Sequence, residues 1–208
     1  AYKIFVSNEK GNDITVLDSA DFAVVDPFEV GQRPRGIAVS PDGKHLYVCA
    51  SDSDTIQVYD TETYEFIRTL PSGPDPELLV VSATGDRLYA ANEDDNLVTV
   101  IDLETGARLA EIPVGVEPEG MGISPDGAII VNTSETTNMA HFIDRESHRI
   151  VANVLVDSRP RFAQYKSDGS EVWVTAEIGG TVSVIDADTK EIKKKITFEI
   201  PGIRSEAI

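Results

Sequence analysis

A unit of about 42 residues repeats along this 208-residue chain, and that period constrains the fold more than any other feature. Gly31, Gly73, Gly115 and Asp157 open successive units, and Pro34, Pro76, Pro118 and Pro160 follow three residues later. A turn recurs at fixed phase as Ser40-Pro41-Asp42-Gly43, Ser82-Ala83-Thr84-Gly85, Ser124-Pro125-Asp126-Gly127 and Ser167-Asp168-Gly169. Each unit then passes Asp60, Asp102, Asp144 or Asp186, with Thr63, Thr105, Ser147 or Thr189 three residues on. The first thirty residues keep this phase through FVSN and ITVLD but lack the opening strand.

Within a unit, IAVS, HLYVCA, TIQVYD and EFIRTL are short, rich in β-branched and aromatic residues, and divided by turn residues. No segment holds a helical period. Four strands per unit at this repeat length predict an all-β fold, a β-propeller of four-stranded antiparallel blades with about five blades present. The units are 1–30 (partial), 31–72, 73–114, 115–156 and 157–200, with 201–208 as the approach to another inner strand. Two closures are open. The tail PGIRSEAI completes a five-bladed ring, or the chain is the N-terminal part of a seven-bladed propeller. The second is preferred, because the tail stops before any equivalent of IAVSPDG and an open ring exposes strand edges. The SPDG turn and the Asp/Thr corner read as scaffold: Pro presets φ, Asp bonds nearby amides and Gly accepts positive φ.

Composition narrows the partners. A formal net charge of −18 disfavours a nucleic-acid backbone or an anionic membrane and favours cationic ligands or basic proteins. The single cysteine, Cys49, precludes an internal disulfide and reads as a buried hydrophobe in LYVCA. No apolar run approaches the roughly 18 residues of a membrane helix. The N-terminus enters a strand pattern at once, so any export signal is expected to have been removed or never to have existed.

The strand cores FVSN, YVCA, YAAN and WVTA are similar to the YVTN-type propeller repeat. The phrases GQRPRGIAVSPDGKHLYVCASDSDTIQVYD, GPDPELLVVS, YAANEDDNLVTVID, VGVEPEG, NTSETTNMAHFID, VDSRPRFA and EIGGTVSVID resemble the β-propeller associated with PQQ-dependent catabolism. That resemblance covers essentially the whole chain. It implies a periplasmic or otherwise exported protein linked to quinoprotein alcohol oxidation, with a quinoprotein dehydrogenase or cytochrome as partner.

Motifs for haem attachment, a nucleophile elbow, a P-loop or a zinc protease are all missing from the sequence. Asp52-Ser53-Asp54 and Glu93-Asp94-Asp95-Asn96 offer oxygen ligands for weak Ca²⁺ binding, yet neither has the glycine and distal glutamate of an EF-hand, and a solvated acidic loop is the better reading. PQQ itself is a minor alternative, since Trp173 occupies the phase of Tyr47 and Tyr89 and reads as packing. No resident cofactor is expected.

Variation at fixed phase is more informative. The repeated proline is flanked by Arg33/Arg35, Asp75/Glu77, Glu117/Glu119 and Arg159/Arg161, which should ring one mouth of the central channel as a recognition surface. The plain alternative is that these charges pair across blades. In the fourth unit Asn132 replaces an apolar residue, and Asn138, Met139 and His141 break the pattern of Asp54, Thr55 and Gln57, so Asn132, Asn138 and His141 are a second candidate polar site, against a satisfied local network. The resulting expectation is a binding or assembly protein acting through its channel mouth without covalent chemistry. The alternatives are a PQQ- or substrate-binding enzyme or carrier, and a surface-layer or adhesion module.

Overall fold

The structure, a computed structural model, describes residues 2–198, so the expectation for 201–208 lies outside the described residues. Blade 1 is the three-stranded sheet β1 (Lys3–Asn8), β2 (Asp13–Asp18) and β3 (Val24–Glu29). Blade 2 is β4 (Pro34–Val39), β5 (His45–Ala50), β6 (Thr55–Asp60) and β7 (Phe66–Pro71); blade 3 is β8 (Pro76–Val81), β9 (Arg87–Asn92), β10 (Leu97–Asp102) and β11 (Arg108–Pro113). Blade 4 is β12 (Pro118–Ile123), β13 (Ile129–Ser134), β14 (Met139–Asp144) and β15 (Arg149–Leu155); blade 5 is β16 (Pro160–Tyr165), β17 (Glu171–Ala176), β18 (Thr181–Asp186) and β19 (Ile192–Thr197). Every pairing is antiparallel between sequence neighbours, so each blade is a meander. The innermost strands β4, β8, β12 and β16 stand side by side around the channel, with β1 beside β4.

The core lies between blades. In β5, Leu46 and Val48 join the cluster with Ile14 and Phe5 of blade 1, while Tyr47 and Cys49 join the one with Leu79, Leu88 and Ile101 of blade 3. Strict alternation sends successive side chains to opposite faces, and both faces are buried. Cys49 is fully buried and burial pushes its thiol pKa up, as expected of a packing residue. Phe142 and Val131 fill the same role between blades 4 and 5.

The recurrent turns behave as their chemistry predicts. Gly43, Gly85, Gly127 and Gly169 all have positive φ, between 71° and 76°. Asp42 Oδ1 accepts from Ser40 Oγ and the Lys44 amide, and Asp60 Oδ1 accepts from the amides of Glu62 and Thr63. The two turn sets meet on one face, where the Thr61 amide donates to the Lys44 carbonyl and the Leu103 amide to that of Asp86.

Near the channel, neighbouring inner strands approach until only glycine fits at some positions. A Cβ on Gly36 would stand 2.6 Å from the Glu77 carbonyl oxygen and 2.8 Å from Leu78 Cα, both backbone atoms that cannot swing away. Gly36→Ala is therefore expected to wedge blades 2 and 3 apart and to cost about 1–3 kcal/mol. Denaturant unfolding would check this, and a variant as stable as the parent would show that the blades can slide.

Candidate functional site

The mouth is built by a register break. In all four complete blades the pairing of the innermost strand slips just after the repeated proline, between Pro34 and Ile37, Pro76 and Leu79, Pro118 and Met121, and Pro160 and Phe162. A bulge re-aims the side chain that follows it. Here it turns Arg35, Glu77, Glu119 and Arg161 toward one another across the channel.

The residue before each proline is held in the left-handed region, with φ of 53° at Arg33, 46° at Asp75, 57° at Glu117 and 61° at Arg159. Such a conformation costs a non-glycine residue about 1–3 kcal/mol unless its surroundings enforce it. The enforcement is a repeated hydrogen bond. The amides of these four residues donate to Asn12 Oδ1 at 2.9 Å, Asp54 Oδ1 at 3.0 Å, Asn96 Oδ1 at 3.0 Å and Asn138 Oδ1 at 3.1 Å. Their carbonyls accept from the amides of Ser51, Glu93, Glu135 and Glu177. Each rim loop is thus clipped from both sides, and Asn138 is one of the clips.

The eight predicted charges are brought together, and all but Glu117 pair across blades. Arg35 donates through Nε to Glu77, lies 3.2 Å from Glu9 through Nη1 and 2.6 Å from Glu119 through Nη2. Glu119 Oε1 also receives Arg161 Nη2 at 2.8 Å, and Arg161 Nη1 lies 3.3 Å from Glu135 and 3.2 Å from Glu177. Arg33 reaches Asp75 at 2.8 Å and Glu77 at 2.9 Å; Arg159 reaches Glu135 at 2.6 Å and Glu177 at 3.2 Å. One ionic network therefore joins all five blades.

Three of its members, Glu9, Glu135 and Glu177, were not singled out from the sequence, and they share one phase with Glu93, which was read there only as part of an acidic loop. The four stand 42 residues apart (Glu93 to Glu135 to Glu177) or 84 (Glu9 to Glu93), directly after the second strand of a complete blade or, for Glu9, after β1, with Ser51 at the remaining position. The signal was in the repeat, one residue beyond the strand cores.

Acids outnumber arginines, and the acids respond. Glu77 is fully buried; burial first and the charge of Glu119 second push it up to about 8, against the pull of Arg35 and Arg33. Burial raises Glu93, and Asp75, Glu119, Glu135 and Glu117 add to the effect; Glu93 has no arginine partner among the described residues. Among the described residues the Glu117 carboxylate accepts only from the Thr136 hydroxyl. Asp75, Glu77 and Glu93 offer carboxylate oxygens within 4.8 Å of one another, a spacing a cation could bridge, but the Arg33 guanidinium already supplies charge to Asp75 and Glu77.

Several cavities open here, two of them beside acids and arginines of blades 4 and 5. One of about 320 Å³ lies in the channel beside Arg35, Glu119, Arg161 and Phe162. The other, about 470 Å³, is an acidic basin bounded by Glu93, Glu117, Glu135 and Arg159, with Ile178 66% exposed at its edge.

The fourth-blade residues are satisfied internally. Asn132 is fully buried, donates to the Gly120 carbonyl at 3.1 Å and accepts from Ser134 Oγ. His141 Nε2 accepts from the Gly115 amide at 3.0 Å, and its Nδ1 lies 2.6 Å from Asn153 Oδ1, which fixes the neutral Nδ1–H form. Burial lowers its pKa despite that bond. Gln57 accepts from the Gly31 amide at the same phase two blades earlier, so His141 fills a structural slot. Likewise Asp54 of the acidic loop is a clip for Asp75.

Two outcomes follow from the network. Arg35→Ala leaves Glu77 and Glu119 without their shared cation and should cost about 3 kcal/mol or more, read as a lower unfolding midpoint; a loss under about 1 kcal/mol would show the network to be weakly coupled. An acid whose folded pKa lies above its unfolded value adds stability that is complete below the unfolded pKa and lost as pH rises through the folded one. For Glu77 that window runs from about 4.5 to about 8. Glu77→Gln should therefore flatten the fall in melting temperature across this window, and an unchanged slope would show Glu77 ionised throughout.

Residues 3–112, more than half of the chain, match the family model described as lactonase, 7-bladed beta-propeller, and the chain belongs to that family. Among solved structures it is similar to hydrazine synthase of Kuenenia stuttgartiensis, with 26% identity and a TM-score of 0.87 over 97% of this chain and 64% of that one. It is also similar to a functionally unknown protein from Desulfotomaculum acetoxidans DSM 771, with 18% identity and a TM-score of 0.83 over 94% of this chain and 67% of that one. The chain thus spans less than two thirds of the hydrazine synthase chain it matches. No curated protein matches.

Proposed function

We propose that this member of the seven-bladed lactonase propeller family is a binding and assembly protein, and that it recognises a protein partner through the charged mouth of its channel. The observation that carries the reading is the division of labour among the charges. All four arginines are engaged by carboxylates of the protein itself, whereas Glu93 and Glu117 face the basin with no arginine of their own among the described residues. A partner therefore meets acid beside the apolar Ile178, and a basic segment with aliphatic stems complements it. This alters the emphasis of the sequence reading, in which the arginines were candidates for contact: they are better suited to hold the rim.

The setting is the periplasm, and the partner a quinoprotein dehydrogenase or cytochrome of PQQ-dependent alcohol oxidation. Support for both is the likeness of the repeat phrases described above. A carrier of PQQ or of a substrate in the 320 Å³ channel cavity is the weaker reading, because Arg35 and Arg161 there already hold Glu77, Glu119 and Glu135. Hydrolysis of the kind named in the family description has little support from Glu77, the rim acid pushed up to about 8, since that carboxyl is fully buried.

The test is direct binding of the purified dehydrogenase and cytochrome from the source cells to the immobilised chain. Glu93→Lys/Glu117→Lys should weaken binding at least about tenfold with an unchanged melting temperature, and salt should weaken the parent's binding. Equal binding by both chains, or binding of neither candidate to the parent, would sink the proposal.

A further inference from the structure

The exposed tips of the mouth change character around the channel axis. One set follows the second strand of each complete blade, or β1 in blade 1, and at a single phase of the repeat it reads Lys10, Asp52, Asp94, Thr136 and Ile178. The other set precedes the repeated proline and reads Gln32, Pro74, Val116 and Ser158. All but the half-buried Pro74 are exposed. Adjacent tips are tied through the backbone: the Thr136 amide donates to the Val116 carbonyl at 3.3 Å, and the Gly179 amide, next to Ile178, to the Ser158 carbonyl at 3.0 Å. Because the inner strands stand in chain order around the channel, the tips do too. Charge is carried by the tips of blades 1 to 3, and from Val116 onward the tips carry none.

Both arcs present groups that the protein itself leaves open. Asp52 comes no closer than 3.8 Å to Arg33 Nη1, and Asp94 has no ion pair among the described residues. On the other arc Ile178 is 66% exposed and Val116 43%. Single exposed aliphatic residues are ordinary on a protein surface. These two share one arc, with Ile178 lining the acidic basin and Val116 preceding Glu117 of its wall. The clips from Asn96 to the Glu117 amide and from Asn138 to the Arg159 amide hold the loops of Val116 and Ser158, and the Ser158 carbonyl in turn holds that of Ile178. A partner therefore meets tips that are already ordered, which lowers the entropy cost of docking.

We infer that the mouth reads the order of polarity along its partner: one segment of the partner protein lies across the rim with its lysines or arginines over Asp52, Asp94 and Glu93 and its aliphatic side chains on Val116 and Ile178. This ordering presupposes that the mouth binds a protein, as proposed above, and adds which end of the segment meets which blades. A segment basic throughout leaves the two aliphatic tips uncovered, whereas one apolar throughout desolvates Asp94 and Glu93 without a partner. The two arcs also divide the work. Ionic contacts on the acidic arc are screened by salt, and apolar burial on the other arc is not.

The probes are synthetic peptides of identical composition, three lysines and three leucines, labelled for fluorescence anisotropy. In one the two residue types occupy separate halves, tested in both chain directions, and in the other they alternate. The better of the two separated peptides is expected to bind the folded protein at least about fivefold more tightly than the alternating one. Ile178→Ser should weaken that peptide by a similar factor at every salt concentration. Asp52→Asn/Asp94→Asn should weaken it at low salt and flatten its salt dependence. Both variants alter exposed tips and are expected to melt with the parent. Equal binding of separated and alternating peptides, binding of neither, or an Ile178→Ser effect that vanishes with salt would each overturn the ordering. Loss of the ordering while a dehydrogenase or cytochrome still binds leaves the proposed function standing, and a peptide preference without either protein binding overturns that function alone.

Discussion

Burial of both faces of every central strand governs the rest of this molecule. Because β5, β9, β13 and β17 present apolar side chains to the blade before and the blade after, a sheet has no wet face on which to carry charge. Charges are confined to the channel, the turns and the outer strands. The period of 42 residues then places equivalent positions side by side around the axis, so any charge that recurs in the repeat is forced into contact with its own copies. The mouth is the consequence: four arginines among a larger number of acids, within one connected network.

Such an arrangement is costly in two ways, and the structure offsets both locally. Left-handed backbone at Arg33, Asp75, Glu117 and Arg159 is enforced by the clip from Asn12, Asp54, Asn96 and Asn138, themselves left-handed at φ between 53° and 60°. Mutual repulsion of carboxylates is answered by sharing: Glu119 Oε1 serves two arginines from blades on either side, and Arg35 serves acids of three blades. The repulsion left over raises Glu77 and Glu93. The rim proposed above as a recognition surface is thus assembled against its own charge and locked in a strained backbone.

Departures from the repeat are informative only when their neighbours are known. His141 looks anomalous along the chain, yet it accepts the Gly115 amide as Gln57 accepts that of Gly31, so it continues the pattern by other means. His45 looks ordinary, a polar residue at the start of a strand. Only beside Lys3 and Arg87, each capping a carbonyl across a junction, does it become the position whose task Arg68 of the outer strand takes over at the Leu103 carbonyl.

By itself the sequence determined the period, the four strands of each blade, the turn chemistry of SPDG and the Asp/Thr corner, and the set of residues around the repeated proline. All of these depend on interactions a few residues apart, between a strand and its own turn, which a pattern of residue types encodes directly. What the tertiary structure alone decided is which charge meets which: that Arg35 crosses to Glu119, that Glu9, Glu135 and Glu177 close the network, that Asn132 and His141 are satisfied, and that Arg68 crosses to the Leu103 carbonyl at the junction where His45 stands. These contacts join residues between 12 and 84 positions apart, several of them through a bulge that turns a side chain by one register step. A bulge has no residue type of its own, because it arises where two strands of adjacent blades must pass within backbone contact, and that constraint exists only once the blades are packed.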